Sequence, residues 1–189
     1  MKKTINKHIL EHKKTLDSII NLSEAIEDTA ILMINCLRAG GTIFWCGNGG
    51  SASDSQHLAG ELVGRFLNDR RPLRSISLNA DSTVMTCIVN DYGYEHIFSR
   101  QVQALGTNKD ILVGISTSGN SLNVLNAFKV AKNIEMKTIG LLGKGGGQAS
   151  KLVSNKIVIN SDITARIQEM HILVGHILCD LIEEGLNLK

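Results

Sequence analysis

The chain has 189 residues, of which 43% are hydrophobic and 20% charged, with one proline and a net charge of +2. That is enough chain for a sizeable core in one domain, and the near-neutral balance excludes a globally basic partner surface for nucleic acid or membrane. No apolar run approaches the ~20 residues of a membrane span, and no apolar stretch follows the early lysines, so a cytoplasmic protein without a secretory leader is expected.

Residues 4–38 carry Ile19, Ile20, Leu22, Ile26, Ile31, Ile34 and Leu37 at helical spacing, with a break expected near Asn21–Ser23. Lys2, Lys3, Lys7, Lys13 and Lys14 alternate there with Ile5, Ile9, Leu10 and Leu16 and read as a solvated helix face. Ala39-Gly40-Gly41 ends this segment. Thr42–Cys46 is a short apolar run of the kind that forms a strand buried on both faces. GNGGSAS turns it into a helix expected to reach Phe66, and NDRRP is a polar turn. Strands are expected at Ser75–Leu78, Asp110–Ile115, Lys137–Leu142 and Lys156–Ile159. Helices are expected from Asp81, over 96–105, from STSGNS to Lys132, and over 163–185.

Strands alternating with helices predict an α/β fold, a three-layer αβα sandwich on a five-stranded parallel sheet. The usual order for five such strands is the flavodoxin-like 2-1-3-4-5, here with extra N-terminal helices and a long C-terminal helix. Ligands of such sheets sit beyond the carboxyl ends of the strands, where three polar, glycine-rich loops should gather. Cys36, Cys46, Cys87 and Cys179 form no CxxC pair and read as reduced core thiols.

Two loops carry chemical signals. In ISTSGNS, Ser116, Thr117 and Ser118 follow a strand and Ser121 opens a helix, an arrangement that suits either a small phosphomonoester or an ordinary N-cap turn. GKS/T is absent, so it is no nucleotide-triphosphate loop. Asn48, Gly49 and Gly50 let backbone approach a ligand, and Ser51 can cap the following helix. The third glycine of a dinucleotide fingerprint is missing. GKGGG reads as a flexible turn.

His57 and Glu61 share a helix face at i and i+4, a spacing that suits a metal grip, an acid/base site or a surface ion pair. The terminal helix adds Arg166, Gln168, Glu169, His171 and His176 among apolar residues. His176 lies in its most apolar stretch, where a histidine usually bonds a carbonyl in the core. Gln168 and His176 stand about 12 Å apart along the helix and share a side only loosely.

Four segments in order, CGNGGSASDSQHLAGELVGRF, CIVNDYGYEHIFSRQVQALG, DILVGISTSGNSLNVLNAF and TARIQEMHILVGHILCDLIEE, resemble the bacterial phosphoheptose isomerase family of the sugar isomerase (SIS) superfamily. The resemblance spans nearly the whole chain and departs only at neighbours such as Ser53-Asp54-Ser55. It implies a homotetramer, with residues 1–38 used in assembly and 39–189 forming the core. It also implies isomerisation of sedoheptulose 7-phosphate to D-glycero-D-manno-heptose 7-phosphate for activated heptose, toward lipopolysaccharide or capsule. Zinc ligands carried over are His57, Glu61, Gln168 and His176, with Glu61 and His176 the catalytic pair. Substrate contacts carried over are Asn48, Gly49, Gly50, Ser51, Glu61, Asn90, Asp91, Ser116, Thr117, Ser118, Ser121 and Gln168. A non-enzymatic relative that binds the replication initiator replaces the glutamate and the later histidine, both of which are present here. A sugar-phosphate-sensing regulator would carry an additional DNA-binding domain.

Overall fold

The computed structural model describes residues 1–188. Five parallel strands, β1 (Ile43–Gly47), β2 (Ser75–Ser77), β3 (Ile111–Ser116), β4 (Lys137–Gly143) and β5 (Asn155–Ile159), form one sheet in the order β2-β1-β3-β4-β5. Register runs Ile43 to Ser75 on one side of β1 and Ile43 to Ile111 on the other. All five residues of β1 and all six of β3 are buried, the signature of strands covered on both faces.

The pleat sorts these residues into two cores. Ile43, Trp45, Val113, Ile115, Ile139 and Leu141 point to one side. There they meet α2 (Ser23–Arg38), α3 (Gly50–Val63) and the long α7 (Thr164–Gly185). Phe44, Cys46, Leu112 and Leu142 point to the other. They meet α4 (Ser82–Tyr92), α5 (Ser99–Leu105) and α6 (Leu122–Asn133). Along α7, Ile167, Met170, Val174, Leu178 and Ile182 are fully buried, as its apolar pattern predicts.

The N-terminal break falls where expected. α1 (Lys2–Asp17) passes through a 3₁₀ turn, Ile19–Leu22, into α2, and the Ser18 hydroxyl donates to the Thr15 carbonyl. α1 docks on α7 through polar contacts: His12 Nδ1 lies 2.7 Å from Glu169 Oε2, and Arg166 donates to the His8 carbonyl at 2.7 Å. Its lysines are solvated, but so is its apolar stripe: Ile5, Ile9 and Leu10 are 56%, 59% and 66% exposed. Leu16, Ile19, Ile20 and Ile26 with Leu173, Ile177 and Leu181 line an apolar groove of about 710 Å³.

Two expectations are corrected. α3 ends at Val63 rather than Phe66, because Gly64 leaves helical geometry and closes the last turn on the Gly60 carbonyl. Cys87 is exposed on α4, while Cys36, Cys46 and Cys179 are buried; all four are free thiols. Burial pushes the Cys36 thiol up to about 11 and that of Cys179 up to about 12, leaving both protonated and inert. Among the described residues no helix is long and apolar enough to cross a membrane.

Candidate active site

The strand order reverses between β1 and β3, and the crevice at such a switch point is where open α/β sheets bind ligands. The loops following β1 and β3 meet there. Asn48 and Asn123 exchange side-chain amides in two reciprocal 2.9 Å hydrogen bonds, and the Tyr94 hydroxyl donates to Asn48 Oδ1 at 2.8 Å. The Asn48 side chain is therefore committed to joining the loops, and the groups this loop offers a ligand belong to the backbone of Asn48–Gly50. Gly49 has φ +58°, a conformation glycine adopts without strain. Ser51 is buried, and its carbonyl takes the Ser55 hydroxyl at 2.8 Å. Tyr94 and Asn123 escaped the sequence reading because nothing in their local pattern signals a bond 46 or 75 residues away.

In the serine loop, Ser116 Oγ lies 3.1 Å from Ser121 Oγ and accepts the Gly119 N–H at 3.1 Å. Ser121 sits at the N-cap of α6 without capping it through its side chain; Asn123 Oδ1 accepts the Val124 N–H at 2.9 Å, which leaves the N–H groups of Leu122 and Asn123 for a ligand. Thr117 and Ser118 are half-buried beside it. The GKGGG loop braces this turn. The Ala149 N–H donates to the Gly119 carbonyl at 2.9 Å, and Gln148 N–H to Asn120 Oδ1 at 3.0 Å. A Cβ on Gly119 would stand 2.0 Å from the Gly146 carbonyl oxygen, and Gly119 has φ +64°. Gly119→Ala should therefore destabilise the protein by about 2 kcal/mol or more through clash and left-handed strain. Urea denaturation measures the loss.

The helical residues converge. His57 Nε2 lies 2.9 Å from Glu61 Oε1 and 3.2 Å from His176 Nε2, joining the second turn of α3 to the middle of α7. One ligand atom from each of the three residues falls within 4.8 Å of the others. Tetrahedral zinc with bonds of ~2.0–2.1 Å places its donors about 3.3 Å apart, so two imidazole nitrogens and a carboxylate at these separations fit zinc well. Phe66 stacks on the His176 ring at 5.4 Å between centroids and 21° between planes. Gln168 lies at the head of α3, two turns before His57, where a Cβ on Gly50 would come within 2.5 Å of its amide nitrogen.

The core histidine of α7 is His171, and His176 is half-exposed in the cleft. His171 is fully buried with Nε2 3.0 Å from the Leu142 carbonyl, and burial pushes its pKa down to about 4. Apolar neighbours in sequence do not separate the two; the helix face does. Asn90 and Asp91 fall on the exposed last turn of α4, bonded to each other at 2.8 Å, away from the triad's helices.

A polar serine loop after β3 and a His–His–Glu cluster shared by α3 and α7 are the chemical features of this five-stranded parallel α/β protein. The family model for the SIS domain matches residues 8–143. The phosphoheptose isomerase of Helicobacter pylori (strain ATCC 700392 / 26695) is 53% identical over 180 residues, covering 95% of this chain and 94% of that protein. That of Aliarcobacter butzleri is 47% identical over 188 residues, covering 99% of this chain and 100% of that protein. The solved phosphoheptose isomerase of Neisseria gonorrhoeae superposes with a TM-score of 0.92 at 41% identity, over 97% of this chain and 98% of that one. The chain belongs to the SIS domain family and, within it, to the phosphoheptose isomerases.

Proposed function

We propose that the protein converts D-sedoheptulose 7-phosphate to D-glycero-D-manno-heptose 7-phosphate through an enediol. The observation that carries this reading is the convergence of His57, Glu61 and His176, one ligand atom from each within 4.8 Å of the others, in a chain 53% identical to a phosphoheptose isomerase. The phosphate takes the hydroxyls of Ser116, Thr117, Ser118 and Ser121 and the free N–H groups of α6. The backbone of Asn48–Gly50, with Ser51 and Gln168, borders the sugar chain; Asn90 and Asp91, which the resemblance also gives as substrate contacts, lie on α4 apart from the triad, and their role rests on that resemblance alone.

The chemistry needs a base at carbon and an acid/base at oxygen. Glu61 takes a proton from C1 while His176 delivers one to O2, giving the enediol. His176 then accepts the O1 proton, and protonated Glu61 returns its proton to C2. Protons balance over the cycle. Zinc held by His57, Glu61, His176 and Gln168 would polarise the sugar oxygens as a Lewis acid and stabilise charge developing there. A carboxylate engaged by metal is a weaker base, so Glu61 serves the proton transfer best when its hold on the metal is loosest.

The working unit we propose is a cytoplasmic homotetramer. One SIS domain fills the chain, and residues 1–38 serve assembly. The exposed apolar stripe of α1 and the groove beside it supply surface for that role. The product enters activated-heptose synthesis for lipopolysaccharide or capsule. Purified protein incubated with sedoheptulose 7-phosphate should form aldoheptose 7-phosphate by NMR, with turnover falling on chelation and returning with zinc. An absence of turnover with zinc supplied overturns the isomerase reading and leaves a sugar-phosphate-binding protein.

A further inference from the structure

Below the site lies a buried ion pair that touches both of its helices. The Arg70 and Glu183 side chains are 2% and 0% exposed and meet at 2.9 Å, Nε to Oε1. Arg70 comes from the NDRRP turn and Glu183 from α7, two turns beyond His176. Such a pair is costly to desolvate and contributes little stability relative to apolar residues of the same volume. What it does geometrically is more informative.

The guanidinium collects the carbonyls that α3 leaves open at its C-terminal end. Nη2 donates to the Glu61 carbonyl at 2.7 Å, and Nη1 reaches the carbonyls of Leu62 at 2.9 Å, Gly64 at 3.1 Å and Arg71 at 3.1 Å. The first three lie at the end of α3, where a helix terminus must satisfy its carbonyls from outside; the fourth is in the turn itself. Arg70 thus holds the backbone of Glu61 itself.

The carboxylate of Glu183 holds the other half. Its Oε1 accepts the Phe66 N–H at 3.2 Å, and its Oε2 accepts the Asn68 backbone N–H at 3.2 Å and the Asn68 amide at 2.8 Å. Burial alone would push this carboxyl up, but its donors from Asn68, Phe66 and Arg70 outweigh burial and hold it below the usual carboxylate range. Phe66, pinned by its N–H, lays its ring on His176. One ion pair therefore registers the Glu61 backbone through Arg70 and the His176 ring through Phe66.

We infer that Arg70 and Glu183 are positioning residues that set the distance between Glu61 and His176 across α3 and α7, and with it zinc affinity and turnover. This rests on the isomerase reading above. A pair that served only folding would leave the site of each folded molecule unchanged, so the test is a variant that folds without it. Arg70→Met combined with Glu183→Leu removes both charges at similar volume and leaves no uncompensated ion. Arg70→Lys keeps the charge opposite Glu183 but cannot reach four carbonyls at once.

Zinc affinity is read by competition with a chromophoric chelator, and kcat and KM on sedoheptulose 7-phosphate. The double variant is expected to bind zinc about 10–100-fold more weakly, as loss of supporting groups around a metal does, and to lose kcat by a similar factor. KM should move by less than about 3-fold, because the phosphate loop lies on β3 and α6 and never touches the pair. Arg70→Lys should fall between the two proteins. A double variant with native near-UV circular dichroism and zinc affinity and kcat within about 2-fold of the unmodified protein overturns the inference while leaving the isomerase reading intact. An unmodified protein that neither binds zinc nor turns over overturns the reading and the inference together.

Discussion

Glu61→Gln is expected to lower kcat on sedoheptulose 7-phosphate by about a thousandfold while leaving the fold and assembly intact. Glutamine matches the volume of glutamate and keeps an oxygen opposite His57, so packing between α3 and α7 survives. What disappears is the capacity to accept a proton at carbon. His176→Gln removes the partner at oxygen and should cost about a hundred- to a thousandfold. Both residues also sit in the metal group, so zinc content per subunit must be measured beside turnover. A Glu61→Gln protein that retains zinc yet fails to turn over isolates the base role; one that loses both assigns Glu61 chiefly to the metal. Reaction in D₂O adds an independent reading, because a proton carried by an exchanging carboxyl enters the product at C2 as deuterium. Near-normal turnover in either variant would remove that residue from the proton path.

The strands were legible because fully buried strands announce themselves as unbroken apolar runs, as IFWCG and ILVGIS do; their order was not, and 2-1-3-4-5 is expected only as the usual arrangement of five parallel strands. Helix ends were less legible. Phe66 reads as helix by spacing, but Gly64 breaks the geometry before it, and that break frees Phe66 to meet His176. His57 and Glu61 share a face by arithmetic alone. Their meeting with His176 could not be read locally, because it depends on how α7 crosses α3, where Gly175 lets Leu58 pack close. GKGGG reads as a flexible turn, but its glycines are what allow it to press against Ser118 and Gly119. A glycine run beside a ligand loop signals close backbone approach as much as flexibility. Exposure on α4 misled in the other direction: Cys87 sits in an apolar run, yet that face of the isolated chain is uncovered.

Acid should unfold this protein earlier than its His171→Gln variant. The Leu142 carbonyl can only accept, so His171 Nε2 carries the hydrogen and Nδ1 holds the lone pair. Nδ1 is buried without a partner, so a proton added there creates a cation with an unsatisfied N–H in the core. Burial accordingly pushes the pKa from 6.5 to about 4, with the Leu142 bond opposing only in part. The sign follows from proton counting. The unfolded chain binds the proton from about pH 6.5 downward and the folded one only near pH 4. The stability from a neutral His171 is thus complete above pH 6.5 and drains away as pH falls toward 4, by about 3 kcal/mol. Glutamine keeps a donor for Leu142 and cannot titrate, so urea denaturation at pH 7 and pH 4.5 should show a smaller loss in the variant. Asp54, whose carboxyl burial pushes up to about 6 while His57 pulls it down, titrates in the same window in both proteins and cancels in the comparison. Parallel loss in the two proteins would show that His171 is not the acid-sensitive group. The position gives the effect its functional weight. His171 fastens α7 to the end of β4, between Gln168 and His176, so acid that charges it loosens the helix carrying half of the site.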